Sequence, residues 1–112
     1  MYDKNLMSAS TTMLVLSILN EGDGYGYSII KALEQRSEKA FSLKEGTLYP
    51  ILHGLENDGL VSSYEMTDSG RKRKYYHLTD SGRKAYQDKL AEWESFSYDV
   101  NKVIYGDALP QA

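Results

Sequence analysis

The densest chemistry in this 112-residue chain is a run of four bases, Arg71-Lys72-Arg73-Lys74. Such a run either neutralises phosphates or solvates an exposed turn. The whole chain carries a net charge of −3, so its bases are concentrated rather than spread. Between Leu60 and Lys84 the run is joined by Arg83 and Lys84, against Glu65, Asp68 and Asp80. From Ala85 onward Asp88, Glu92, Glu94, Asp99 and Asp107 outweigh Lys89 and Lys102. One end suits an anion and the other suits water or protein.

Groups for covalent or acid–base work are sparse. There is no cysteine, hence no thiolate, no disulfide and no Cys-based metal site. The two histidines, His53 and His77, have no nucleophile placed beside them by a motif. Glu92 and Glu94 lie two positions apart on an expected helix and point away from each other. P-loop, GxGxxG and HExxH runs are missing. The expectation is a protein that is not an enzyme and needs no cofactor and no metal.

A second feature is the stretch Ser42–Leu60, SLKEGTLYPILHGLENDGL. Leu48, Ile51, Leu52 and Leu55 fall at i, i+3, i+4, i+7, the stripe of a helix that faces a core. Ser42-x-x-Glu45 has the spacing of a capping box. Asn57-Asp58-Gly59 ends the helix, with Gly59 in the left-handed position. Pro50 would crowd the carbonyl four residues back, but that residue is Gly46, so a tolerated kink is expected. The opposite face carries Gly46, Pro50, His53 and Asn57, flanked by Thr47 and Tyr49. It is small, polar and nearly uncharged, unlike the Lys- and Glu-rich face of a helix that meets only water.

The surrounding elements must hold the helix and the basic run in place. A first helix is expected over about Lys4–Asn20, apolar on more than one side through Leu6, Met7, Met13, Leu14, Leu16, Ile18 and Leu19. That suits either a central core helix or one with a partner in a second subunit. Glu21–Gly24 is a turn, and a second helix follows from Tyr25-Gly26-Tyr27-Ser28 to Arg36 with Ile29, Ile30 and Leu33 inward. Tyr27 at its start can put a hydroxyl on a phosphate, or simply pack with its tip in water. Leu60–Met66 and Arg73–Thr79 have strand composition around a polar turn at Thr67–Lys72, giving a hairpin with a basic side. Thr79-Asp80-Ser81 caps a last helix to about Tyr105, roughly 40 Å long. Its stripe of Tyr86, Leu90, Trp93, Phe96 (or Ser97), Val100, Val103 and Ile104 is too long for so small a domain to cover and needs a partner, most simply a second copy.

The fold class expected is therefore mainly α with a small β-hairpin: a winged helix-turn-helix domain over residues 1–79, a long C-terminal dimerisation helix over 80–105 and a tail over 106–112. No apolar run approaches the roughly 20 residues of a membrane span. The N-terminus shows no signal-peptide pattern, so a cytoplasmic protein is expected.

Three stretches together resemble the PadR family of bacterial transcriptional regulators. They are Tyr25-Gly26-Tyr27, then Gly46-Thr47-Leu48-Tyr49-Pro50 with Leu55-Glu56-Asn57-Asp58-Gly59-Leu60, then Gly70 through Thr79 in the hairpin. The order and separations of all three carry the resemblance, over about Leu6–Ile104. The single C-terminal helix is similar to the compact branch of that family. The resemblance implies a winged-helix homodimer joined through its first and last helices, binding double-stranded operator DNA as a repressor, and commonly released by a small molecule or a stress. It places Thr47, Tyr49 and Pro50 on a recognition helix with Lys44 at its start, and Arg71, Lys72, Arg73 and Lys74 in the wing.

The chemistry of those residues fits. A recognition helix enters the major groove with its N-terminal end, where Thr47 can hydrogen-bond a base edge or touch a thymine methyl. Tyr27 and His53 complete the expected contact set, and Lys44 and the wing bases neutralise phosphates. Few of these side chains can make bidentate base contacts, so specificity should rest largely on apolar contacts and DNA shape. The only tryptophan, Trp93, is on the last helix. With Phe96, Met7 and Met13 it could stack a small aromatic effector, as in some compact members of the family, or pack a dimer core. The competing functional class is a winged-helix protein-interaction module without sequence-specific DNA binding. The basic wing beside a small-residue face favours DNA.

Overall fold

In the computed structural model, which describes residues 2–106, four helices and three strands follow in the order α1 (Lys4–Asn20), β1 (Gly24–Tyr25), α2 (Gly26–Arg36), α3 (Glu45–Asn57), β2 (Val61–Asp68), β3 (Arg71–Leu78) and α4 (Asp80–Tyr105). Of the expected tail, all but Gly106 lies outside the described residues. The core is one cluster in which Val15, Leu16, Leu48 and Leu52 are fully buried, joined by Ile29 from α2 and Tyr76 and Leu78 from β3. It is a helix-turn-helix head closed on one side by a sheet.

The four helices run where the periodicity puts them. Pro50 sits inside an unbroken α3, as the absence of a side chain at Gly46 allows. The beginning of α3 differs from expectation. Lys44, not Ser42, is the N-cap, and no side chain caps this end. The capping box does not form because the helix starts two residues later than that spacing requires. The far end follows expectation, with Gly59 at φ 74°.

The sheet holds more than a hairpin. Its strand order is β1-β3-β2, all antiparallel, with β1 pairing Gly24 to Tyr76 and Tyr25 to Tyr75. The two-residue strand β1 escapes the sequence because two residues cannot show alternation. The hairpin is also longer than composition suggests. Asp68 pairs with Arg71, leaving Ser69-Gly70 as the whole turn, at φ 51° and 78°. Two positive φ values match the twist of the flanking strands, so the strands can run right up to the turn. All four bases therefore lie on a strand, and their side chains alternate between its faces.

Two close approaches fix how the elements meet. Gly26 lies under the ring of Tyr49, and any side chain there would collide with the Tyr49 hydroxyl. This glycine brings α2 against α3. Gly82 lies against the carbonyl of Leu60, so the first turn of α4 rests on the start of β2. Thr79 holds the same corner as N-cap of α4. Its Oγ1 accepts from the Gly82 N–H at 3.0 Å and lies 2.8 Å from the Gly59 carbonyl as a donor.

From there α4 leaves the head. It makes a 3.3 Å hydrogen bond back to α1, Tyr86 to Ser17, but only Gly82 along its length is buried. The radius of gyration is 16.0 Å, against about 13 Å for a compact chain of this length. The excess is the projecting helix.

Candidate nucleic-acid interface

On α3 the apolar stripe turns inward, with Leu48, Leu52 and Leu55 buried and Ile51 partly so. That leaves Gly46, Thr47, Pro50, His53, Gly54 and Asn57 exposed, with Lys44 exposed at the cap. The exposed face is small and polar, and beyond the first-turn Glu45 it carries no acid. Glu56, the other carboxylate of the helix, is half-buried and accepts a hydrogen bond from Ser63 on β2. Tyr49 differs from its neighbours. It is half-buried, packed on the core and on Gly26, with its ring 6.2 Å from that of His53. It packs α3 against α2 beside His53. Tyr27 is 57% exposed, with the Lys31 ammonium 5.7 Å from its ring centre. A phenol at a helix start with a cation over its ring suits an anion.

The four wing bases separate into two kinds. Arg71, Lys72 and Lys74 are exposed. Arg73 is not free: its Nη1 donates to Asp68 at 2.7 Å, and its guanidinium lies 4.5 Å from the Tyr25 ring centre. A guanidinium stacked and paired in this way already has partners within its own chain. Strand alternation places Arg71 and Arg73 on the face that carries Tyr25 and Tyr75, and Lys72 and Lys74 on the face of Tyr76; of the first pair, Arg73 lies nearer Tyr25 while Arg71 sits beside the turn.

Profile matching of the Transcriptional regulator PadR-like family covers residues 15–88. The chain belongs to the PadR-like family of transcriptional regulators. A solved transcriptional regulator from Clostridium thermocellum superposes with a TM-score of 0.82 at 34% identity, covering 88% of this chain and 97% of that one. A PadR family regulator from Eggerthella lenta superposes with a TM-score of 0.80 at 32% identity, over 91% and 88% of the two chains. Among curated relatives, an uncharacterised protein of Lysinibacillus sphaericus is 32% identical over 71% of this chain and 74% of its own length. Transcriptional regulator Rv3488 of Mycobacterium tuberculosis is 42% identical over 38% of this chain and 40% of its own. The winged-helix fold expected from the sequence is thus the family's fold.

Within this PadR-like chain the four residues expected to form a second site do come together. Met7 and Met13 on α1 and Trp93 and Phe96 on α4 line one groove of about 640 Å³, with Leu6, Phe41, Lys89 and Glu92 among its other lining residues. Trp93 is 46% and Phe96 62% exposed. No helix among the described residues is long and apolar enough to cross a membrane.

Sequence reasoning missed a third group, on the outer face of the sheet. Asp23, in the turn after α1, accepts from the Tyr64 hydroxyl at 2.7 Å through one oxygen and meets His77 Nδ1 at 2.8 Å through the other. Tyr64 and Tyr75 stack at 5.7 Å, and Tyr25 meets Tyr75 edge-on at 5.3 Å. The Tyr64 hydrogen bond holds the Asp23 carboxyl below its ordinary range, against partial burial and with help from His77. The same bond raises the Tyr64 phenol. A usable signal was present in the pairing of Tyr64 with Tyr75, once the two-residue turn fixes the register.

Proposed function

We propose that this PadR-like regulator is a cytoplasmic homodimer that binds operator DNA and represses transcription. Each head of residues 1–79 lays the exposed face of α3 in a major groove, and the hairpin runs along the neighbouring phosphates. Thr47, Pro50 and His53 meet base edges, while Lys44, Tyr27, Arg71, Lys72 and Lys74 hold the backbone. The observation that carries this reading is the division of the surface. The exposed face of α3 is small and nearly uncharged, while three exposed bases project from β3 of the same head.

The helix over 80–105 is the dimerisation element. Its exposed Trp93, Phe96, Val103 and Ile104 form an apolar surface that a second copy covers. The groove between α1 and α4 then lies at the dimer interface and takes a small aromatic effector, which stacks on Trp93 and changes the angle between the two heads. Two heads must match half-sites about one helical turn apart, or a multiple of it, so a small rotation weakens binding. The chain's chemistry is recognition, not catalysis.

The test is fluorescence anisotropy with a duplex from upstream of the protein's own gene, across a salt series, beside a scrambled duplex. Sequence-preferring binding with a steep salt dependence supports the reading. No binding to either duplex at low salt overturns it and favours a protein-interaction module.

A further inference from the structure

The hairpin poses a mechanical problem. On its inner face only Val61, Tyr76 and Leu78 are buried in the core. Beyond Tyr76 that face continues with Lys72 and Lys74, both exposed, opposite Thr67 and Glu65. Half of the hairpin therefore stands off the core, and a lone two-stranded ribbon is marginal in water. Its bases can meet phosphates in register only if something else sets its direction.

The outer face supplies a continuous tether. It starts at Asp23, whose turn is closed by backbone bonds from Glu21 to Ile18 and from Gly22 to Leu19 at the end of α1. Asp23 takes Tyr64 of β2 on one oxygen and His77 of β3 on the other, so a single carboxylate holds both strands. The tether then passes from Tyr64 to Tyr75, to Tyr25, to the Arg73 guanidinium and to Asp68, which pairs with Arg71 beside the turn. It spans the strands from near the base of the hairpin to its tip.

We infer that Asp23 is a positioning residue for the wing: by gripping Tyr64 and His77 it fixes the hairpin's angle on the head, and thereby the engagement of Arg71, Lys72 and Lys74 with the DNA backbone. The inference rests on the DNA-binding reading above. Arg73 acts in it as a link and not as a phosphate ligand.

Salt dependence separates this role from mere stabilisation. A variant that only lowers the folded fraction weakens binding by the same factor at every salt concentration. A variant whose wing no longer meets phosphates releases fewer counterions, so the slope of log K against log salt becomes shallower. The experiment compares wild type, Asp23→Ala and Tyr64→Phe, the last removing one hydroxyl and leaving the ring stack. Each is measured for its salt slope on the preferred duplex, for its melting temperature, and for amide hydrogen exchange of residues 61–78 without DNA. Expected for Asp23→Ala are faster exchange in the wing, a melting temperature within a few degrees of wild type, and a slope shallower by at least about two units for the dimer. Tyr64→Phe should move in the same direction by less. A wild-type slope in both variants overturns the inference, whatever the exchange data show. Failure of the wild type to bind any duplex overturns the DNA reading itself, and the inference with it. The two failures are distinct because only the second appears in the wild-type control.

Discussion

Helices α3 and α4 are both amphipathic, yet they end in opposite conditions. The stripe of α3 is sealed within its own chain: Leu48 and Leu52 are at 0% exposure and Leu55 at 5%. The stripe of α4 stays open, with Phe96 at 62%, Ile104 at 65% and Val103 at 86%. The same kind of pattern therefore carries two meanings. A helix that finds its core at home offers only its other face for recognition, and on α3 that face is polar and small. A helix that outruns its domain offers the apolar face itself, which is the surface proposed above to be covered by a second copy.

Substitutions within the two stripes should diverge most. Leu52→Ala removes a fully buried side chain, so about 2–5 kcal/mol of stability should be lost, read by chemical denaturation. Ile104→Glu should leave the melting of the head almost unchanged while sedimentation shows a monomer. Its DNA affinity should fall by about 10²-fold or more, because two linked heads gain that much from acting together. If Ile104→Glu stays dimeric, the contrast between the helices fails and the α4 surface has another use.

The groove between α1 and α4 sharpens the same contrast. Trp93 is the single tryptophan, so the emission of the protein reports this place alone. A flat aromatic ligand that binds there should quench that emission and weaken operator binding in parallel. Quenching without any change in DNA affinity would make the groove a passive cavity.

The wing bases give a smaller, graded effect. Each of Arg71→Ala, Lys72→Ala and Lys74→Ala should reduce the salt slope by about one unit for every phosphate left without its cation. Counting bases in the sequence would predict the same from Arg73→Ala. Its pairing with Asp68 and its stacking on Tyr25 predict a different response, in which the wing loosens because a link is gone, with its phosphate-facing bases all still present.

Most of the fold was legible because its elements are long enough to show a period. The helices α2 and α4 carry stripes, α1 is a long run that is apolar on more than one side, and Gly59 marks the end of α3. What stayed hidden depends on partners far apart in sequence. The strand β1 exists only because Gly24 and Tyr25 find β3, and Asp23 finds Tyr64 and His77 some 41 and 54 residues away. The candidate interface divides in the same way. The exposure of Thr47, Pro50 and His53 follows from the period of α3. The withdrawal of Tyr49 onto Gly26 and of Arg73 onto Tyr25 follows from packing, which spacing does not encode.

The smallest expected effect tests that distinction at two helix starts. Both Ser42-x-x-Glu45 and Thr79-Asp80-Ser81 read as caps, but only Thr79 acts as one. Its hydroxyl closes the Gly82 N–H and also reaches the carbonyls of Gly59 and Leu60, joining α4 to the end of α3 and the start of the wing. Thr79→Ala should cost about 1 kcal/mol or somewhat more, the usual loss for an N-cap with added bonds. Ser42→Ala should stay within about 0.5 kcal/mol, because the helix begins at Glu45 and Ser42 makes no cap bond there. Equal losses at the two sites would mean that Ser42 caps α3 in solution. The first turn of α3 would then begin earlier, and Lys44 would sit within the helix rather than at its entrance.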